Sequence, residues 1–326
     1  MKTEIYFLGT DGFAATILER LLKEDEVEVL GVVTPVDAPV GRKQVLTPCA
    51  VKQVALSEKL VLFEEVSALL SLERPDFLVV ASYGYFLKEK ILKFPKFLSL
   101  NVHASLLPKY RGASPIQTAL LNGDAVSGVS IMEMVKKMDA GPVYAFAEVK
   151  IEERHNAENL RVDMAKVGAE LLVQALKGVV KGVLEPQPQD ESQATYSCKI
   201  TRESGKIDWK RETARGIVCK LKAYFPWPGV YTFFKGKRLK IHEAVLWDDN
   251  GEIKAGAKCD SPGLVRHENG RFFVETREGF LMLKTVQEEG KKAISVSDFA
   301  RGHADFVGSS LGAFDKNRLT KICFVI

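Results

Sequence analysis

The run Phe97-Leu-Ser-Leu-Asn101-Val-His103 constrains the fold more than any other part of this 326-residue chain. A predominantly apolar stretch of this length, preceded by Phe77 to Ala81, reads as a strand covered on both faces, as strands of a parallel sheet are. It closes on two polar residues, an expensive arrangement unless those groups are used. Residues i and i+2 of a strand share a face, so Asn101 and His103 are expected to point together. In an open α/β sheet the carboxyl ends of the strands border the crevice where ligands bind. An amide donor beside a titratable imidazole at that place suits acyl or formyl chemistry.

The rest of the first half alternates strand and helix signals. Glu4 to Leu8 and Val27 to Val33 read as strands, and Gly9 to Gly12 as the turn into a helix over Phe13 to Lys23. Thr47-Pro48 has the form of an N-cap followed by proline at the first helical position, opening a helix through Ala55. Gly128 to Met134 and Val143 to Ile151 are strand candidates, and Asn156 to Val180 is a long helix. Repeated units of this kind predict an α/β class with a Rossmann-like, mostly parallel sheet.

The stretch Leu184 to Gln193 is poor in apolar residues, contains two prolines and reads as a linker. Beyond it the pattern changes. A helical segment, Thr213 to Ala223, precedes short strand candidates at Val230–Phe234, Leu239–Val245, Gly263–His267, Phe272–Thr276 and Phe280–Thr285. Short strands with regular turns predict a small OB-like β-barrel. The expected division is a catalytic domain over 1–183, a linker over 184–202, the barrel over 203–313 and a tail over 314–326 with no assigned role.

Composition narrows the classes. Apolar residues make up 46% and charged residues 27%, ordinary for a globular protein. No apolar run approaches the roughly 18–20 residues needed to cross a bilayer, and the amino terminus lacks the apolar core of a signal peptide. Five scattered cysteines, never in C-x-x-C spacing, point away from a disulfide framework and a metal site. They favour a reducing, cytoplasmic setting. From Glu203 onward 22 Lys/Arg face 16 Asp/Glu, against 24 and 26 before it. The basic back suits a polyanionic partner, although a merely well-solvated surface has the same signature.

His103 needs a group to set its tautomer, usually a carboxylate. The candidate is Asp139, in the glycine-closed loop Met134-Val-Lys-Lys-Met138-Asp139-Ala-Gly141-Pro142. In a parallel sheet that loop would emerge at the same edge as His103. Asn101, His103 and Asp139 together can bind a developing oxyanion and handle protons without a covalent nucleophile. A histidine at a strand end is also an ordinary packing residue, and an aspartate before Ala-Gly an ordinary turn residue. Spacing alone leaves both readings open.

The block Asn101-Val-His103-Ala-Ser105-Leu-Leu-Pro108-Lys-Tyr-Arg111-Gly112-Ala-Ser-Pro115-Ile116, followed by Met138-Asp139-Ala-Gly141, resembles the 10-formyltetrahydrofolate-dependent formyltransferase superfamily. The likeness covers about residues 3–312 and is greatest to the branch that acts on charged initiator tRNA. It implies that Asn101, His103 and Asp139 form the catalytic set. It also implies that 10-formyltetrahydrofolate is the formyl donor and that initiator methionyl-tRNA is the acceptor, with no metal. Tyr83, Gly84, Tyr85, Phe86 and Leu87 resemble the segment that holds the pterin ring, joined by Ser105, Leu106, Leu107, Pro108, Val135, Met138 and Gly141.

Phe7-Leu-Gly9-Thr10-Asp11-Gly-Phe13-Ala14 resembles the family's opening turn, with Asp11 where the family usually has proline. Thr34 to Pro48 resembles the insertion that grips the acceptor arm and makes Arg42 and Lys43 candidate tRNA contacts. Ala38 stands where a basic residue is common, and Gly41-Arg42-Lys43 replaces the usual Gly-Arg-Gly-Lys. Ala223-Tyr-Phe-Pro226-Trp227-Pro228-Gly229 resembles the family's Pro-Trp-Pro element. Lys235, Lys237, Arg238 and Lys240, around a hairpin turn with aromatic neighbours, suit phosphate tracking. A barrel core with a solvated hairpin explains them equally well.

Two other acceptors fit the same chemistry: the amine of a sugar nucleotide, or water in a formyl-folate hydrolase. A non-catalytic tRNA-binding module is a third alternative. Nothing in the sequence calls for a partner subunit, and a monomer is expected.

Overall fold

A computed structural model describes residues 2–41, 44–247 and 259–312. Arg42, Lys43 and the tail from Phe314 lie outside the described residues. The chain forms two compact units. One holds residues up to Lys199 except Leu120–Gly123; the other holds Leu120–Gly123 and the chain from Ile200.

The first unit contains strands β1 (Thr3–Gly9), β2 (Val27–Val33), β3 (Ala38–Val40), β4 (Val45–Thr47), β5 (Leu62–Phe63), β6 (Phe77–Ala81), β7 (Leu98–His103), β8 (Arg111–Gly112), β9 (Val126–Glu133), β10 (Val143–Lys150) and β11 (Tyr196–Ser197). Its helices are α1 (Gly12–Leu21), α2 (Ala50–Ser57), α3 (Glu89–Leu92), the start of α4 (Pro115–Asn122) and α5 (Ala157–Val180). Among the described residues, seven strands form one sheet in the order β10-β9-β7-β6-β1-β2-β5. Its neighbours pair parallel except β9, which runs against both β7 and β10.

All five residues of β6 are buried, as a strand covered on both faces requires. On one face Tyr6, Leu8, Leu78 and Val80 pack with Leu87, Ile91 and Phe94. On the other, α5 lies against β9, β10 and α1. Gly168 of α5 comes so close that a Cβ there would stand 3.0 Å from Cγ1 of Val102. Val102 therefore faces α5, and alternation turns Asn101 and His103 to the opposite face. Helix α1 starts where the Asp11 carboxylate accepts from the backbone N–H groups of Phe13 and Ala14. Helix α5 starts at a reciprocal capping box between Asn156 and Asn159; such caps contribute about 1 kcal/mol.

Two expectations need correcting. Helix α2 is capped at Cys49 rather than Thr47, because Thr47 is taken by the β3–β4 hairpin, where it pairs with Ala38. The last two long strands are not βα repeats, since β9 and β10 form an antiparallel pair. The polar stretch expected to link the domains also pairs within the first unit: Gln187 bridges to Val143, and β11 pairs with β8.

The second unit contains α6 (Ala214–Ala223), β12 (Val230–Phe234), β13 (Lys237–Trp247), β14 (Val265–Glu268), β15 (Arg271–Glu275), β16 (Phe280–Glu288), β17 (Ile294–Ser295) and α7 (Val296–Arg301). Its strands form an antiparallel sheet in the order β12-β13-β16-β15-β14, with β17 against β16. The core joins Leu239, Ile241, Leu281 and Val286 to an edge-to-face cluster of Phe234, Phe299 and Phe306. Helix α7, not anticipated from the sequence, supplies Phe299.

Candidate active site

The end of β7 places its two polar residues on the face away from α5. Asn101 stands opposite Val80 on one side and Met132 on the other, and all three line one cleft. The Asn101 amide makes no hydrogen bond among the described residues. His103 is 6% exposed, and its Nε2 lies 3.1 Å from the carbonyl oxygen of Tyr110. A carbonyl only accepts, so this nitrogen carries the proton, and Nδ1 is the one left for chemistry. Nδ1 lies 3.9 Å from Oδ2 of Asp139, and that carboxylate accepts from the Gly112 N–H at 2.7 Å.

Asp139 reaches His103 by a different route from the expected one. Because β9 runs antiparallel to β7, its last residue Glu133 stands opposite Leu100, while Ser130 stands opposite His103. The loop after β9 must therefore travel back toward the carboxyl end of β7. Three features hold it there. Gly141 presses so close to β9 that a Cβ would fall 1.9 Å from the Glu133 carbonyl oxygen. Asp139 adopts a left-handed backbone, φ 49°, which aspartate tolerates better than most residues. Gln189 donates from Nε2 to the carbonyls of Asp139, at 2.9 Å, and Gly141, at 2.6 Å.

Gln189 is itself oriented by Arg111, whose Nε and Nη2 donate to its Oε1 at 3.1 and 2.8 Å. Arg111 is completely buried and also meets Glu191 at 3.0 Å. The Arg111 guanidinium, with Lys137 beside it, holds the Glu191 carboxyl down at about 2. Sequence reasoning missed this network.

Of the residues expected to hold folate, Tyr83, Gly84, Tyr85, Phe86, Leu87, Val135 and Met138 line the cleft, which has a volume of about 740 Å³. Phe86 and Met138 are 77% and 69% exposed at its wall. Large apolar groups left in solvent around a concave surface mark a ligand site. Ser105, Leu106, Leu107 and Pro108 are placed away from the cleft lining. They form the turn that brings the Tyr110 carbonyl back to His103: Ser130 Oγ donates to Ser105 O and accepts from Leu107 N–H. The Ser105 hydroxyl donates to Lys109 O.

The cleft lining also includes Asp11 and Arg161, paired at 2.5 Å. The Asp11 departure from the family pattern signalled a change at this turn; nothing marked Arg161. Among the described residues no group of three or more His, Cys, Asp or Glu is placed to hold a metal ion.

The expected tRNA contacts divide. Arg42 and Lys43 fall outside the described residues; beside them the β3–β4 hairpin exposes Val45 and Leu46. At its base Lys52 joins Asp37 to Glu64. In the second unit Lys235 pairs with Asp305 and Lys237 with the buried Glu288. The Arg238 guanidinium lies 4.4 Å over the Tyr231 ring. Lys291 and Lys237 hold the Glu288 carboxyl at about 2. Two of the four hairpin cations are therefore ion-paired within the protein, and a third, Arg238, lies over an aromatic ring.

Residues 1–176 match the family model for formyl transferase, and residues 199–304 match that for the formyl transferase C-terminal domain. The chain belongs to the formyl transferase family. Within that family it is similar to the methionyl-tRNA formyltransferase of Streptococcus thermophilus, 39% identical over 308 residues that span 92% of this chain and 96% of the relative. In fold it resembles an N-formyltransferase from Helicobacter canadensis solved with folinic acid and dTDP-3-aminofucose. The TM-score is 0.64 at 20% identity, over 88% of this chain and 100% of that one. It also resembles HypX from Aquifex aeolicus solved with tetrahydrofolic acid, with a TM-score of 0.59 at 19% identity over 93% of this chain and 48% of that one.

Proposed function

We propose that this chain transfers the formyl group of 10-formyltetrahydrofolate to the α-amine of methionyl initiator tRNA, for translation initiation. The observation that carries this reading is the convergence of Asn101, His103 and Asp139 on one strand end, at the wall of a cleft lined by Tyr83, Tyr85, Phe86, Val135 and Met138. That wall suits packing against the ring systems of the donor, and the cleft volume falls within the range usual for small-molecule sites. The donor supplies an activated formyl carbon. The new bond joins that carbon to the amine nitrogen, the bond to the donor nitrogen breaks, and that nitrogen takes up a proton in place of the one the amine gives up, leaving tetrahydrofolate.

Negative charge that develops on the formyl oxygen needs preorganised donors, and the Asn101 side-chain amide, which has no hydrogen-bond partner among the described residues, is one. With Nε2 committed to Tyr110, His103 exchanges protons at Nδ1. Protonated there, it is a second donor to the oxygen, and Asp139 supports that cation. Asp139 also assists removal of the amine proton, directly or through water.

We assign the first unit a Rossmann-like fold and the second an OB-like barrel that contributes tRNA contacts, with Arg42 and Lys43 adding to them. The protein would work as a cytoplasmic monomer. Among the described residues no helix is long and apolar enough to cross a membrane.

The test is transfer of labelled formyl from 10-formyltetrahydrofolate to charged initiator tRNA, run beside a UDP-amino sugar. Label is expected on the tRNA alone. Label on the sugar, or release as formate without transfer, would overturn the assignment.

A further inference from the structure

We infer that Gln189 is a positioning residue for the reaction, and that the stretch around it is a built part of the active centre rather than a connector. The inference rests on the formyl-transfer reading of the site. A primary amide offers two N–H donors and an oxygen with two lone pairs. Gln189 uses all of them. Its two donors meet the carbonyls of Asp139 and Gly141, and its oxygen meets two N–H groups of Arg111. The reversed orientation would set oxygen against two carbonyls and nitrogen against a guanidinium, so only one orientation is allowed.

The groups at either end of this clamp cannot relax independently. Arg111 is completely buried, and a buried cation stripped of partners is strongly disfavoured. Glu191 accepts from its Nη1 and Nη2 and also binds Lys137 on the loop itself. At the other end, one clamped carbonyl belongs to Asp139 itself, whose carboxylate meets the Gly112 N–H and faces Nδ1 of His103, and the other to Gly141, two residues on. Gly112 directly follows Arg111. The buried arginine thus positions both the carboxylate, through Gln189, and the amide that receives it, through the chain.

Gln189→Glu and Gln189→Leu separate the parts of the clamp. Glutamate keeps the oxygen that meets Arg111 and removes the two donors; leucine removes both halves. Both variants are expected to keep a cooperative melting transition. Both should lose kcat by about 10–100-fold, the scale of a misplacement near 1 Å, while KM for tRNA stays within about twofold. Amide hydrogen exchange should accelerate in the peptides carrying Gly112 and Asp139–Gly141 and stay unchanged in β1 and β6.

A Gln189→Glu kcat within about twofold of wild type, or unchanged exchange at Gly112, would overturn the inference. So would loss of the melting transition in both variants, which would make Gln189 a folding residue. A wild-type protein that fails to formylate tRNA would instead sink the functional reading, and exchange alone would then judge the clamp.

Discussion

Nδ1 of His103 faces Oδ2 of Asp139 at 3.9 Å, while its other ring nitrogen is held by the carbonyl of Tyr110. One nitrogen is fixed by the turn that follows β7 and the other is turned to the Asp139 carboxylate. Geometry of this kind separates anchoring from chemistry within a single ring.

His103→Ala and Asp139→Asn should each lower kcat by about 10²–10³-fold, as loss of one preorganised group does. Asparagine keeps an acceptor for the Gly112 N–H, so its loop should stay in place. Single-turnover formyl transfer measures the chemistry, and filter binding should show tRNA affinity within about twofold of wild type. A parallel loss of binding would assign both residues to the scaffold.

Gly141→Ala would drive a Cβ into the Glu133 carbonyl. The loop must shift or strain, costing about 1–3 kcal/mol by the usual scale of overpacking, and kcat should fall with it. Denaturant titration and turnover, taken together, check this; a stable and fully active variant would show that the contact does not set the loop.

Acid should weaken both units over one window. Glu191 and Glu288 have carboxyl groups held at about 2, against an ordinary 4.5. A lowered folded value contributes stability that is complete above about pH 4.5 and is lost as pH falls through about 2. Melting temperature should therefore decline across that interval. Glu288→Gln should flatten the decline, and an unchanged slope would place the acid sensitivity elsewhere.

Lys240→Ala should lower the salt slope of tRNA binding by about one, the effect of one lost phosphate contact. Lys237→Ala should lower it by less, because Glu288 already pairs with that lysine. The same change should lower the melting temperature by depriving a buried carboxylate of a partner. Equal slopes for the two variants would contradict this division.

Much of the site is legible in local sequence because its signals are local. The period of two along β7 suffices to put Asn101 and His103 on one face, and the two-sided burial of β6 follows from Phe77 to Ala81. Strand direction is not local. Nothing in Gly128 to Met134 distinguishes a parallel from an antiparallel partner, so the sequence can point to Asp139 as a candidate without giving the path that brings it beside His103. Arg111 and Gln189 are 78 positions apart, and Gln189 and Asp139 are 50 apart. A lone glutamine in a proline-containing polar stretch carries no mark of such partners. Thr47-Pro48 has the right form for a helix start, but tertiary pairing with Ala38 claimed the threonine first.

Val135 and Met138, in the cleft wall, sit on the same short loop as Asp139. On the proposed reading, a donor that settles against those two side chains bears on the peptide that carries the carboxylate. Occupancy of the first substrate's pocket and readiness to deprotonate the second are then a single mechanical event, and the order in which the substrates arrive becomes a property of one loop.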